Sequence, residues 1–340
     1  MPENTVYDEK VLILLATYNG EEFLQQQLDS ITSQSFSKWE LIIRDDNSTD
    51  ATREVISEWI AGLKGSHVRF EQASDTSLHG ALANFSTLCD LALESDAKYY
   101  CFCDQDDIWH SDKLETMVSR LAQLETHHGT DCPLLVHSDL QVVDSFGKLI
   151  SPSFIHYQGL PDPNRHSLQK LQIQNNVTGC ASLFNRALLE LATPVPVDIA
   201  IHDWWIALCA ESTGKIEFIE HPLVDYRQHR KNLVGAKSRS VAKNPLHRHF
   251  YRILYSFPGH LEKSLLQNQL IQDRLKTRSI KIPQEKLDHL VRYSGLRSHG
   301  YINRVKTLNR TLNTRNEFLG FLYLAVIALF YPRDVVRNSD

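Results

Sequence analysis

Apolar and polar positions along the first 150 residues follow two alternating periods. "VLILLATYN" is a nearly unbroken apolar run ending in a polar turn, the pattern of a strand covered on both faces. "GEEFLQQQLDSITSQ" follows with Phe23, Leu24, Leu28 and Ile31 at helical spacing and acids in the expected first turn. "WELIIRDDNSTD" predicts a second strand with an acidic end. Ser48, Thr49 and Asp50 are then placed to cap a helix over "ATREVISEWIAGL". "HVRFEQA", a helix near 80–95, and "KYYCFCDQDD" continue the alternation. Repeated strand–helix units predict an α/β protein with a mostly parallel sheet flanked by helices.

Beyond 130 the pattern loosens. "PLLVHSDLQVVD" predicts another strand, "NNVTGCASLFNRALLELA" leads into a helix, and "IHDWWIALCAESTG" is a second helix. "KIEFIEHPLVDYRQHRKN" predicts strands running into a basic loop, and from about 240 the pattern is helical. Residues Phe318 to Tyr331 form an uncharged, mostly apolar stretch of 14 residues. A spanning helix needs roughly 20, so the stretch is either a core helix or an interfacial segment.

Charge changes this picture more than composition does. The 340 residues are 42% hydrophobic and 23% charged, with a net charge of −5. Residues 1–226 carry a balance of −20, whereas residues 227–340 carry +15. The asymmetry predicts a unit over 1–235 and a helical, basic extension over 236–340 with an anionic partner. The extension is expected to serve as a membrane-surface or oligomerisation element. The six cysteines lie mostly inside apolar runs without zinc-ligand spacing, which predicts reduced thiols and a cytoplasmic setting. The polar, acidic start of the chain is not expected to be a leader peptide.

In a parallel sheet, ligands bind outside the carboxyl ends of the strands. Three predicted strands end in polar clusters: Thr17-Tyr18-Asn19, Asp45-Asp46, and Asp104-Gln105-Asp106-Asp107. Crowded carboxylates repel one another, so the last cluster is either a solvated turn or a site for a cation. No G-x-x-x-x-G-K-[ST] loop occurs, and no G-x-G-x-x-G follows the first strand. A nucleotide would therefore be held through a metal-bridged diphosphate, with Mg²⁺ or Mn²⁺ taking oxygen ligands from an Asp-x-Asp strand end.

"ATYNG", "RDDNSTD" and "DQDDIW", in this order after three strands, resemble the family-2 glycosyltransferases of the Rossmann-like GT-A fold. "HDWW" and "YRQHRKN" resemble its rhamnosyltransferase-like branch. The resemblance covers about residues 10–235 and implies an inverting, metal-dependent transferase. It would move a sugar, rhamnose from dTDP-rhamnose being expected, to a hydroxyl of a lipid-linked or cell-surface polysaccharide.

The resemblance also implies roles for individual residues. Thr17, Tyr18 and Asn19 would line the donor site, with Tyr18 stacking on the base. Asp46, and less directly Asp45, would hydrogen-bond the base, and Asp104 would hold the ribose side. Asp106 would bind metal with His229 as a further ligand, and Asp203 would be the general base. Many relatives carry an arginine before the asparagine of the loop matched by "HGALANF"; here Ala83 stands there. Neutralising the diphosphate then falls to the metal and to Arg227, Arg230 or Lys231.

Several positions keep two readings. One of Asp45 and Asp46 is expected to serve the turn, and Asp107 to cap the next one. Trp204 and Trp205 are either core or acceptor platform, and His137 and Asp139 are supporting or acceptor residues. A sugar-1-phosphate nucleotidyltransferase shares the sheet architecture but should carry a Gly-rich basic loop after strand one, which "ATYNGEEF" lacks. A non-catalytic nucleotide-sugar-binding subunit is the third reading. The expected partners are a nucleoside-diphosphate sugar, a glycan acceptor, the inner face of the membrane and a second copy of the chain, but no nucleic acid.

Overall fold

The computed structural model describes residues 9–63, 67–74, 78–165, 167–229, 257–298 and 302. Arg230, Lys231 and the apolar stretch 318–331 lie outside the described residues.

The chain begins with the expected alternation: β1 (Val11–Thr17), α1 (Leu24–Thr32), β2 (Trp39–Asp45), α2 (Thr52–Gly62), β3 (Val68–Gln72), α3 (Ala81–Ala92) and β4 (Tyr99–Cys103). There follow β5 (Ile108–Trp109), α4 (Lys113–His128), β6 (Leu134–Asp144), β7 (Leu149–Ser151), α5 (Phe154–Gln158) and α6 (Leu168–Ile173). The series continues with β8 (Ser182–Asn185), α7 (Arg186–Ala192), α8 (His202–Thr213), β9 (Lys215–Gln228), α9 (Phe257–Thr277) and α10 (Gln284–Ser294).

Among the described residues these strands form a nine-stranded sheet in the order β3-β2-β1-β4-β8-β6-β9-β5, with β7 attached to β6. The β3-β2-β1-β4 half is parallel throughout. The remainder is mixed, because β8 runs antiparallel to both β4 and β6, and β5 antiparallel to β9. Val11, Ile13, Leu14 and Leu15 of β1 are fully buried, as a strand covered on both faces requires.

Two local expectations shift. The acids before α1 do not occupy its first turn, since the helix begins at Leu24. Glu21 instead accepts the Ala51 N–H at 2.8 Å, holding the start of α2. Asp50 also serves that start, accepting Thr52 N–H at 3.1 Å. β8 replaces what read as a lead-in to a helix, because its four residues pass directly into α7.

Register decides where the strand ends lie. Thr17 pairs with Asp45, Asp45 with Gln72, and Leu15 with Cys103. The three polar clusters therefore leave the sheet at one edge. β5 then pairs Ile108 with Asp225 in antiparallel sense. Extending that register carries residues 226–229 back along residues 104–107.

The chain divides into two compact units. One comprises Met1–Asn164, Asn176–Val197 and Ile201–Arg239, and holds the sheet. The other comprises Arg165–Asn175, Asp198–Ala200 and Ser240–Asp340. Two short stretches before the expected boundary at 235 thus belong to the second unit. The reason is packing: α6 buries Leu168 and Leu171 with Leu261 and Leu265 of α9 and Leu290 and Tyr293 of α10. Polar bonds also cross this core, Gln172 Nε2 donating to Asn268 Oδ1 at 2.7 Å.

Candidate active site

The end of β1 is held by its neighbours. Thr17 Oγ1 donates to Asp45 Oδ1 (2.9 Å), and Asp45 also accepts the Ser48 N–H and hydroxyl at 2.9 and 2.5 Å. Both residues are buried, so Asp45 is the turn residue of the acidic pair. Asn19 adopts φ +48°, a conformation that suits a short polar side chain bonding locally. Its N–H donates to Ser48 Oγ (2.9 Å) and its Oδ1 accepts the Thr49 N–H (2.8 Å). Thr17, Asn19 and Asp45, the expected donor-site residues, also frame the crevice, with polar atoms bonded to one another and to the β2–α2 turn.

Tyr18 alone of its cluster turns outward, 56% exposed. Gln105 fixes its backbone from across the crevice, donating to Tyr18 O (3.0 Å) and accepting from Tyr18 N (2.8 Å). Gly20 leaves room for that carboxamide, since a Cβ there would lie 2.3 Å from Gln105 Oε1. Asp46 accepts the Gly80 N–H at 2.7 Å and lies 2.7 Å from His79 Nδ1. The imidazole of His79, nearly half exposed, therefore stands at the crevice beside the carboxylate.

The acidic loop meets the end of β9. Asp106 Oδ2 lies 2.7 Å from His229 Nε2, and the His229 ring packs on Phe23 at 4.8 Å. The structure thus brings the two expected metal ligands into contact, with both side chains partly reached by solvent. Arg227, expected to help neutralise a diphosphate, packs under the acidic loop. It is buried, with Nε on Asp106 O (3.0 Å), Nη1 on Ser145 O (2.9 Å) and Nη2 on Gln26 Oε1 (2.6 Å). Its guanidinium also covers the Phe23 ring at 4.7 Å. Every guanidinium nitrogen is engaged by protein, which makes Arg227 a strut under the acidic loop.

Asp107 is fully buried and accepts the Arg227 N–H at 3.1 Å, tying the loop to β9. Burial and the charges of Asp106 and Asp104 raise its carboxyl well above the usual range. Asp104 is pushed up to about 7 by burial, then by Asp106 and Asp203. Asp104, Asp107 and the Cys180 thiol lie within 4.8 Å of one another. Burial and the nearby carboxylates raise that thiol well above its ordinary value, so it stays protonated. A hard divalent cation therefore fits Asp106 and His229 better than the thiol corner, with phosphate and water completing its ligands.

Asp203 faces this cluster from the start of α8. The Gly179 N–H donates to its Oδ2 at 3.1 Å, and burial pushes it up to about 7 against the pull of the Gly179 and Trp204 N–H groups. The neighbouring His202 is buried, stacked on Phe85 at 3.9 Å, and pushed down to about 3 by burial. A neutral imidazole of that kind is a poor base, whereas the Asp203 carboxylate can ionise near neutral pH.

Other positions resolve to structure. Trp204 and Trp205 are buried, and Trp205 Nε1 donates to Ala192 O at 2.9 Å. His137 is buried against Phe218. Asp139 accepts the Phe154 N–H at 3.1 Å at the start of α5. Sequence reasoning missed Gln105, His79 and the buried Lys113. For Lys113 a signal needs α4 in place, since a cation at the first position of a helix opposes the macrodipole.

Residues 12–191 match the family model described as glycosyl transferase family 2. The dTDP-rhamnosyl transferase RfbG of Shigella flexneri is 29% identical over 246 residues, covering 67% of this chain and 76% of that protein. The amylovoran biosynthesis glycosyltransferase AmsB of Erwinia amylovora is 29% identical over 225 residues, covering 63% and 68%. Among solved structures, S. aureus TarS in complex with UDP-GlcNAc superposes with a TM-score of 0.53 at 14% identity, covering 94% of this chain and 81% of that one.

Proposed function

The chain belongs to glycosyl transferase family 2, with the GT-A fold, and from that premise we propose that it is an inverting, metal-dependent rhamnosyltransferase using dTDP-rhamnose. The observation that carries this reading is the meeting of Asp104, Asp106, His229 and Asp203 at the carboxyl edge of the sheet. Likeness to RfbG, a dTDP-rhamnosyl transferase, supports the choice of sugar. Family membership removes the nucleotidyltransferase alternative.

In this reading the Tyr18 ring stacks on the base, with Asp46 and His79 at its edge and Asp104 on the ribose side. Asp106 and His229 would hold a divalent cation. When bound, the cation supplies Lewis-acid stabilisation of the departing diphosphate. Arg227 and Asp107 keep the loop that carries Asp106 in place. Asp203 takes the proton of the acceptor hydroxyl as that oxygen attacks the anomeric carbon from the face opposite the diphosphate. One displacement of this kind inverts the centre. Arg230 and Lys231 remain candidates for the diphosphate.

The acceptor in this proposal is a lipid-linked or surface polysaccharide. No helix of the described residues is long and apolar enough to cross a membrane. The +15 balance of residues 227–340 supports seating on an anionic bilayer, where each Lys or Arg contributes about 1 kcal/mol. The experiment is transfer from a panel of nucleotide sugars by wild type and Asp106→Asn, with and without chelator. Turnover is expected to collapse both in the variant and in chelated wild type. Full activity of wild type in excess chelator would refute the metal-dependent mechanism, and a binding-only subunit would turn over no donor at all.

A further inference from the structure

Beneath the acidic loop lies a lysine that none of these steps uses. Lys113 opens α4 and is fully buried. Its ammonium sits 3.2 Å from the centroid of the Trp109 ring and donates to the Cys180 carbonyl at 2.7 Å. Burial lowers the pKa of this lysine, so its charged form relies on partners such as this carbonyl.

Cys180 is the middle of a one-turn 3₁₀ helix, Gly179–Ala181. The Gly179 N–H of that turn donates to Asp203 Oδ2 (3.1 Å), and the Ser182 hydroxyl closes the turn on Gly179 O (2.7 Å). Its thiol meets the other side of the site, within 4.8 Å of Asp104 and Asp107. A single short turn thus touches Asp203 on one flank and the donor loop on the other, and Lys113 ties down its middle residue.

We infer that Lys113 is a positioning residue: by holding the Cys180 carbonyl it sets the Gly179 N–H against Asp203, and so fixes the base relative to the acidic loop. The inference rests on Asp203 being the general base. The contacts shown for Lys113 are with protein groups, the Trp109 ring and the Cys180 carbonyl, so its loss is expected to act chiefly on turnover.

The test uses the full chain and the nucleotide sugar that wild type turns over, read as nucleoside diphosphate released, with calorimetry of that diphosphate alongside. Lys113→Met keeps an unbranched apolar side chain but loses both the nitrogen over Trp109 and the N–H donor. Since a displacement of about 1 Å costs about 10²-fold in rate, kcat should fall by about 10–100-fold. Donor KM and diphosphate affinity should stay near wild type, and Lys113→Arg should recover part of kcat. Gly179→Ala strains the same bond from its other end, with a Cβ 3.1 Å from His202 Nε2 and 3.3 Å from Asp203 Cβ, and leaves Lys113 untouched. It should show the same split, and it decides the matter should Lys113→Met not fold. Wild-type kcat in folded Lys113→Met or Gly179→Ala, or KM worsening in step with kcat, would overturn the inference. Asp203→Asn in the same assay separates the two claims. Full turnover there overturns the base assignment and the inference with it, whereas loss there beside normal kcat in the other variants overturns the inference alone.

Discussion

Replacing Arg227 by methionine separates a strut from a diphosphate ligand. The substitution retains an apolar stem over Phe23 but removes the donors to Asp106 O, Ser145 O and Gln26 Oε1. Hydrogen bonds from a charged donor are each worth about 1.5–3 kcal/mol, and three of them sharing one group do not add fully. With that discount the expected loss is about 3–5 kcal/mol. All five tryptophans (Trp39, Trp59, Trp109, Trp204 and Trp205) belong to the unit that holds the sheet, so their fluorescence reports its unfolding. With an m-value of about 2–3 kcal/mol/M in urea, the midpoint should fall by about 1–2 M. Calorimetry of the nucleoside diphosphate, under conditions where the variant is folded, completes the assay. An unchanged midpoint accompanied by collapsed diphosphate affinity would refute the strut and return Arg227 to the donor.

Two other outcomes follow from the site. Asp203 is pushed up to about 7, and a general base acts only when ionised. The kcat/KM should therefore fall about tenfold per pH unit below about 7 and level off above it; a profile flat from acid to neutral would exclude Asp203 as the base. Gly20→Ala would drive the Gln105 carboxamide off both Tyr18 backbone groups. Losing these partly solvated bonds, about 1 kcal/mol, should raise donor KM about fivefold with kcat kept; an unchanged KM would show that the clamp does not order Tyr18.

The parallel half of the sheet was legible because β1, β2 and β4 are apolar runs whose polar residues gather at one end. β8 was not, since four residues between a turn and a helix acquire strand character only from the neighbours β4 and β6. Residue type at the site was legible, but the direction a side chain takes was less so. Thr17, Asn19 and Asp45 carry the donors and acceptors a nucleotide would want, yet a tight turn wants the same groups and lies nearer. Arg227 shows the same limit: alternation along β9 places it on a face without revealing that Gln26, Ser145 and Asp106 converge there. Lys113 was missed for a related reason, since no helix was predicted after the acidic loop and so no dipole was there for the lysine to oppose.

The long strand β9 gives the site a history as well as a shape. His229 and Asp106 are 123 positions apart, and Arg227 reaches Asp106 across 121. On a ribosome adding about 5–20 residues per second, on the order of ten seconds separate the emergence of the acidic loop from that of the strand that braces it. During that interval β1, β2 and β4 can already pair, while the loop of Asp104 to Asp107 is still unsupported. Closing so long a loop is slow, so the nascent enzyme acquires the parallel half of its sheet before its chemistry. A chain stalled short of residue 227 would therefore carry the acidic loop exposed, without the strand that gives it a geometry.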